Sequence, residues 1–424
     1  MFRELNEFEY LSFTAGQPFN TAVMLRIKGS ISIELLENTL KKLQKRHPLL
    51  RVRIIFDDDR PCFTSEGVGT IPVKVIPRET HSQALKEFNK QLSTPFDLCR
   101  KDLPLIRVVV LSSEDISELI ICALHTISDG LSMTFLSKDL IDYMGNPNKP
   151  IIPLNQPARE DDLFPPKVRK LLPKTAFFSY LFYALFRIYY FFRYTLIGKK
   201  ETPKINIKES EMGVYSWKLT SKQTKQILSR CKKENISVHS FLCTIFLPEF
   251  PIIGTTVNVR KWLKPSLDQA FGFFSSAIVF RKKYRKSLGF WENAKRYQKK
   301  LLRNLRDRKV FFPLRLVSKH ASFNFLRKLV TYYVEIATNK QLFSVNNLGS
   351  LDKYLENVDL NQFPTIESFY GGLSCFLNSL IALVFTLQEK MHFNFLYTKT
   401  NHSLQDMIDL ATTIKKRLLK TLKI

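Results

Sequence analysis

The apolar positions along the chain change period several times, and each change marks an element. In residues 31–46, ISIELLENTLKKLQKR, Leu35, Leu36, Leu40 and Leu43 recur at helical spacing, and His47-Pro48 ends the helix they predict. The next stretch, LLRVRIIF (49–56), alternates apolar and basic residues as a half-buried strand does, while PLIRVVVL (104–111) and ELIICALH (118–125) read as further strands. The turn TISDG then leads into an apolar helix, LSMTFLSKDL (131–140). Residues 1–150 are therefore expected to form an α/β half.

Between residues 146 and 173 the periodicity breaks. Pro147, Pro150, Pro153, Pro157, Pro165, Pro166 and Pro173 predict loop, and this is the expected boundary. Residues 151–210 are read as a Pro-rich and aromatic linker, and 211–424 as a second α/β half that takes shape near Trp217. There SKQTKQILSRCKKENIS (221–237) predicts a capped helix and VHSFLCTIFL (238–247) an apolar one.

Within the linker, AFFSYLFYALFRIYYFFRYTLI (176–197) is long enough to cross a bilayer but carries Arg187 and Arg193. Ser179, Tyr183, Arg187, Tyr190 and Tyr194 recur along one helical face, opposite a Phe/Leu/Ile face. Two readings stand. The helix either lies in a membrane interface with its tyrosines and arginines in the wet layer, or packs on its own domain or a protein partner.

Composition narrows the class. At 424 residues the chain exceeds one ordinary core, and 45% hydrophobic with 24% charged residues excludes a disordered protein. A net charge of +27 points to an anionic partner, which could be nucleic acid, a phosphorylated cofactor or an acidic membrane. The charge concentrates between Arg281 and Lys309, with thirteen Lys or Arg against Glu292 and Asp307, and in the terminal KKRLLKTLKI. No zinc-finger spacing, RNA-binding aromatic motif or basic zipper accompanies it, so nucleic acid is the reading dropped first. Phosphates of coenzyme A, an acidic acyl carrier protein, anionic lipid or plain solvent remain for this surface.

The six cysteines form no C-x-x-C pair and no His/Cys cluster, so neither a zinc site nor a disulfide framework is expected. The first residues, MFRELNEFEYLSF, carry acids early and lack the long apolar core of a secretory signal. The expected setting is cytoplasmic, with peripheral attachment to a membrane left open.

The sharpest candidate for chemistry is His125. It follows the apolar run LIICAL, which places it where a buried strand surfaces, and a strand end can hold a base rigidly while its imidazole faces a cavity. Asp129 could orient the following loop through an ion pair, and Gly130 is expected to supply a backbone shape other residues resist. Taken alone, His-x-x-x-Asp-Gly reads first as a polar strand end with no catalytic role, and the catalytic reading comes second.

Its surroundings carry a family resemblance. RHPLLR (46–51), TPFDLCRKDLPLIRVVVL (94–111) and LHTISDGLSMTFLSKDL (124–140) resemble, in order and spacing, segments of the condensation-domain-like acyltransferase superfamily. That superfamily includes peptide-synthetase condensation domains, alcohol O-acetyltransferases, polyketide-associated acyltransferases and wax ester synthases, and is related to chloramphenicol acetyltransferase. NVRKWLKP (258–265) with FGFFSSAIVFR (271–281) looks like the family's Asn-x-Arg and Gly-aromatic segments, and FSVNNLG (343–349) like its Ser/Asn-Asn-x-Gly segment. The likeness weakens over 150–210 and 285–340. One departure is Leu124, where many members carry a first histidine; the second, which acts as base, matches His125.

The resemblance implies an α/β fold of two chloramphenicol acetyltransferase-like domains, each an α+β two-layer sandwich, with a tunnel between them leading to His125. No cofactor or metal would be bound. An acyl-CoA or acyl carrier protein thioester would be co-substrate, and His125 would be general base in a ternary complex without a covalent acyl-enzyme. Asp129 becomes structural, with Arg260 as its candidate partner. Ser132 and Asn347 are candidate oxyanion or substrate contacts that could equally cap a helix or turn.

Three functions compete. The favoured one esterifies a hydroxyl acceptor, expected to be lipid-like given the Phe-rich linker. The others are an amide-forming condensation on carrier-bound partners, and a non-catalytic binding or membrane-adaptor protein on the same fold.

Overall fold

The computed structural model describes residues 2–155, 163–197, 211–264, 267, 269–337, 342–355, 363–374 and 379–422. Pro157, Pro265 and Cys375 lie outside these residues. One mixed sheet runs, edge to edge, β12 (Ile366–Leu373), β2 (Asn20–Lys28), β7 (Ile116–Leu124), β6 (Ile106–Ser112) and β5 (Val73–Pro77). The second runs β10 (Ser275–Arg281), β9 (Ile252–Asn258), β11 (Leu342–Ser350), β13 (Ser379–Leu387), β14 (Lys390–Thr398) and β8 (Met212–Lys218). A small sheet joins β1 (Phe2–Glu4), β4 (Arg60–Thr64) and β3 (Arg53–Asp57).

Strand β7 lies between β2 and β6, antiparallel to both. From Ser117 to Leu124 every residue of it is buried, and from Leu119 on its sequence is a continuous apolar run rather than an alternation. Helix α2 (Ile33–Arg46) starts where the Ser32 side chain accepts the Leu35 amide, and it buries Leu36, Leu40 and Leu43 as their spacing requires. Each such leucine contributes roughly 1.5–3 kcal/mol by leaving water. The following stretch differs from its sequence reading: Pro48–Arg51 form a 3₁₀ turn that buries Leu49 and Leu50, and the strand begins only at Arg53. Proline at the first position fixes the φ that such a turn needs.

The two halves do not divide their cores cleanly. Strand β12 belongs by sequence to the C-terminal half, yet it pairs along its length with β2 of the first sheet. Phe8 of α1 (Glu7–Thr14) makes the reverse exchange and sits in the second core, 5.6 Å from Phe164 and 6.1 Å from Phe311 between ring centroids. The Pro-rich stretch is not a plain loop either. Leu163, Phe164, Val168 and Leu172 are buried in that same second core.

Helices α3 (His81–Ser93) and α4 (Gly130–Gly145) belong to the first half, and α5 (Phe177–Ile197) lies in the linker. Then come α6 (Ser221–Lys233), capped by Thr220 with Gln223, and α7 (Val238–Phe246), both where the sequence predicts them. They are followed by α8 (Phe290–Asn304), α9 (Phe312–Leu316), α10 (Phe323–Ala337) and α11 (Leu404–Leu422).

Candidate active site at the end of strand β7

His125 is the first residue after β7, and its amide donates to the Phe19 carbonyl at 2.8 Å, so the strand's own ladder fixes its backbone. The next turn folds back far enough for Nδ1 to donate to the Ser128 carbonyl at 2.6 Å. A carbonyl only accepts, so that bond selects the tautomer with hydrogen on Nδ1 and leaves Nε2 with its lone pair. Among the described residues Nε2 makes no hydrogen bond. The ring lies 4.5 Å from Phe19 and 4.9 Å, edge-on, from Phe273. Burial disfavours the imidazolium and pushes the pKa below the ordinary 6.5, so the ring is a neutral acceptor at pH 7. Leu124, at the departure from the two-histidine pattern, is 1% exposed and paired with Asn20 in the sheet.

Asp129 faces a different set of groups. It caps α4 by accepting the Ser132 amide at 2.8 Å, and it receives Arg260 through both terminal nitrogens, Nη1 at 2.9 Å and Nη2 at 3.2 Å. The Phe274 amide donates to it at 3.0 Å. Burial opposes its charge, but Arg260 and these two amides outweigh burial and hold the carboxyl below its usual range. Arg260, from the turn after β9, also donates to Ser132 Oγ at 2.8 Å and lies 4.7 Å from the Phe274 ring centroid. The pair is a brace between the halves; the Asp129 charge also favours a proton on His125, against the larger effect of burial.

Ser132 completes that brace. Its hydroxyl donates to the Gly272 carbonyl at 2.7 Å and accepts the Gly272 amide at 3.0 Å and Arg260 as well. Its single proton is thus committed within a fully buried site. Asn347 stands at a bulge of β11, where its Oδ1 accepts the Gly349 amide at 2.9 Å and Gly349 takes a φ of +78°. This bulge presents Leu348 to α4. A Cβ on Gly130 would come within 2.9 Å of Leu348 Cδ2, so Gly130 leaves room for the end of that side chain rather than supplying the unusual backbone expected from the sequence; its φ lies outside the left-handed region.

Residue-by-residue reading of the sequence did not single out Phe19, Phe273 or the Ser128 carbonyl, the three groups that fix the His125 ring. It also missed the role of His47, whose Nε2 lies 2.9 Å from Asp139 Oδ2 while Arg46 Nε donates to the same oxygen at 2.6 Å. The RHPLLR and LSKDL segments that carry these residues were visible, but their pairing spans 92 residues.

Residues 8–155 match the family model described as Condensation domain. Within that region the chain is 33% identical over 139 residues to bacitracin synthase 3 of Bacillus licheniformis, covering 32% of this chain and 2% of that protein. The structure resembles the trichothecene 15-O-acetyltransferase TRI3 of Fusarium sporotrichioides, with a TM-score of 0.69 at 14% identity over 99% of this chain and 95% of the other. It resembles equally the first condensation domain of the calcium-dependent antibiotic synthetase, with a TM-score of 0.69 at 13% identity over 100% and 96%. The fold is that of a condensation domain. The resemblance read from the sequence is therefore shown, in sequence for the first third and in fold for the whole length. The aligned stretch is only 2% to 5% of the first curated relatives' own length. His125, Asp129 and Gly130 all fall inside the condensation-domain match, while Arg260 and Asn347 lie beyond it.

Proposed function

We propose that this protein moves an acyl group from a thioester, carried by coenzyme A or a carrier protein, to the hydroxyl of a lipid-like acceptor. The observation that carries the reading is His125: a buried neutral imidazole with Nδ1 pinned to a carbonyl, inside the segment that matches condensation domains. In this reading Nε2 takes the proton of the acceptor hydroxyl as its oxygen attacks the thioester carbonyl. The tetrahedral intermediate collapses, the C–S bond breaks, and the imidazolium returns the proton to the departing thiolate. Ester and thiol leave, and the enzyme is unchanged. The Asp129–Arg260 pair keeps the first turn of α4 and the Gly272–Phe274 loop together, so that Phe273 stays against the His125 ring.

Amide formation between carrier-bound partners is the second reading. It is favoured by the likeness to bacitracin synthase 3 and by the cationic stretch 281–309, a surface suited to an acidic carrier. Thiol release from a panel of acyl-CoAs and carrier-bound donors, offered with alcohols and amines, separates the two. Turnover with CoA donors and alcohols that vanishes in a folded His125→Ala protein supports the first reading. A strict need for a phosphopantetheinyl protein and an amine supports the second. Turnover unaffected by His125→Ala overturns both mechanisms, and no turnover with any donor leaves a binding protein on this fold.

A further inference from the structure

Over its described side chains, helix α5 meets the rest of the protein through Ser179, Tyr180, Phe182 and Tyr183. Ser179 is buried and its Oγ accepts the Ser318 amide at 3.3 Å. Tyr180 and Tyr183 lie 4.5 and 5.3 Å from the Phe325 ring of α10, and Phe182 packs against the first core. The polar face traced in the sequence thus begins by turning inward at Ser179 and Tyr183; the side chains of Tyr190, Arg193 and Tyr194 lie outside the described residues. The outward face is the apolar one. Leu181, Leu185 and Ile188 are 40%, 56% and 52% exposed, and Phe177, Phe178 and Phe192 extend the same surface at 61%, 51% and 55%. From Phe177 to Phe192 this surface runs about 22 Å along the helix.

The charges along this stretch of the chain are of one sign. From Leu163 to Lys200 the chain has eight Lys or Arg and no Asp or Glu, and Lys167, Lys170 and Lys174 are exposed just before the helix. Large apolar side chains exposed in a row, framed by cations, match the interface of an anionic bilayer: acyl chains take the Leu, Ile and Phe groups, and headgroups take the lysines. A second copy of this chain fits poorly, because it would bring the same acid-free segment against itself. Among the described residues no helix is long and apolar enough to cross a membrane, and Arg187 interrupts this one.

We propose that α5 docks the protein flat on an anionic lipid surface through Leu181, Leu185, Ile188 and the flanking phenylalanines. The proposal is independent of His125. The test is flotation of the full chain with phosphatidylcholine vesicles, with and without phosphatidylserine, at low and high salt. The parent is expected to float with the anionic vesicles, less with phosphatidylcholine alone, and less as salt rises. Leu181→Ser/Leu185→Ser/Ile188→Ser should cut the bound fraction at least about tenfold while far-UV circular dichroism and the unfolding temperature stay at the parent's values. Failure of the parent to bind anionic vesicles overturns the proposal, as does unchanged binding by the triple variant. So does a variant that alters only the oligomeric state by light scattering, or only the binding of an acidic protein, since the face then serves a protein partner.

Discussion

His125 and His47 are both buried histidines in the N-terminal half, both with pKa values pushed down by burial, and they are wired in opposite senses. At His125 the fixed nitrogen is Nδ1 and its partner is a neutral carbonyl. At His47 it is Nε2 and its partner is Asp139, which Arg46 also grips. A carbonyl orients a ring without charging it. A carboxylate shared with an arginine ties the end of α2 to α4, and the ring becomes part of a structural joint. Two identical side chains in similar burial thus divide into a candidate base and a brace, according to which nitrogen is committed and to what.

The comparison is tested most sharply by removing each ring. His125→Ala should lower turnover by about 10²–10⁴-fold with the unfolding temperature close to the parent's. The brace near the site should show the reverse behaviour: Arg260→Ala strands Asp129 as a buried charge and should cost about 3–5 kcal/mol in denaturant unfolding. His47→Ala should cost about 1–3 kcal/mol by the same measurement and leave turnover per folded molecule near the parent's. Equal loss of turnover in the His47 and His125 variants would erase the distinction drawn here.

Acid provides a milder probe. Since the folded His125 binds its proton more weakly than an ordinary imidazole, the acid limb of the turnover profile should have its midpoint below 6.5. Both histidines carry a lowered folded pKa, so the unfolded chain takes up more protons as pH falls through 6.5, and stability present above that pH is lost below it. Unfolding midpoints measured across pH 5 to about 8 would show this slope, and His47→Ala should flatten it. The smallest effect is expected at Gly130→Ala, where the new methyl meets only the end of the Leu348 side chain and should cost about 1 kcal/mol.

Much of the N-terminal half could be read directly. Helix α2, strand β7 and the apolar helix α4 after the TISDG turn follow from local signals: leucine spacing, an unbroken apolar run, and an Asp-Gly pair before a helix. The fold class was legible through the segments at 46–51, 94–111 and 124–140, which lie in the stretch matching condensation domains. The reading failed once at a local signal and once at a contact between distant segments. The strand expected from residue 49 starts at Arg53 because Pro48 opens a turn instead, and β12 crosses to the first sheet because pairing with β2 is a contact between residues more than 300 positions apart.

The sequence by itself determined the periodicity of most elements, the position of a histidine at the end of a buried strand, and an aromatic helix interrupted by Arg187 and Arg193. Spacing and charge are properties of neighbours along the chain, so they survive without a fold. Only the tertiary structure decided which nitrogen of His125 is committed, that Ser132 spends its proton on Gly272, and that the apolar face of α5 points away from the protein. Those depend on distances and burial between segments far apart in sequence, and hydrogen bonds and burial act through space.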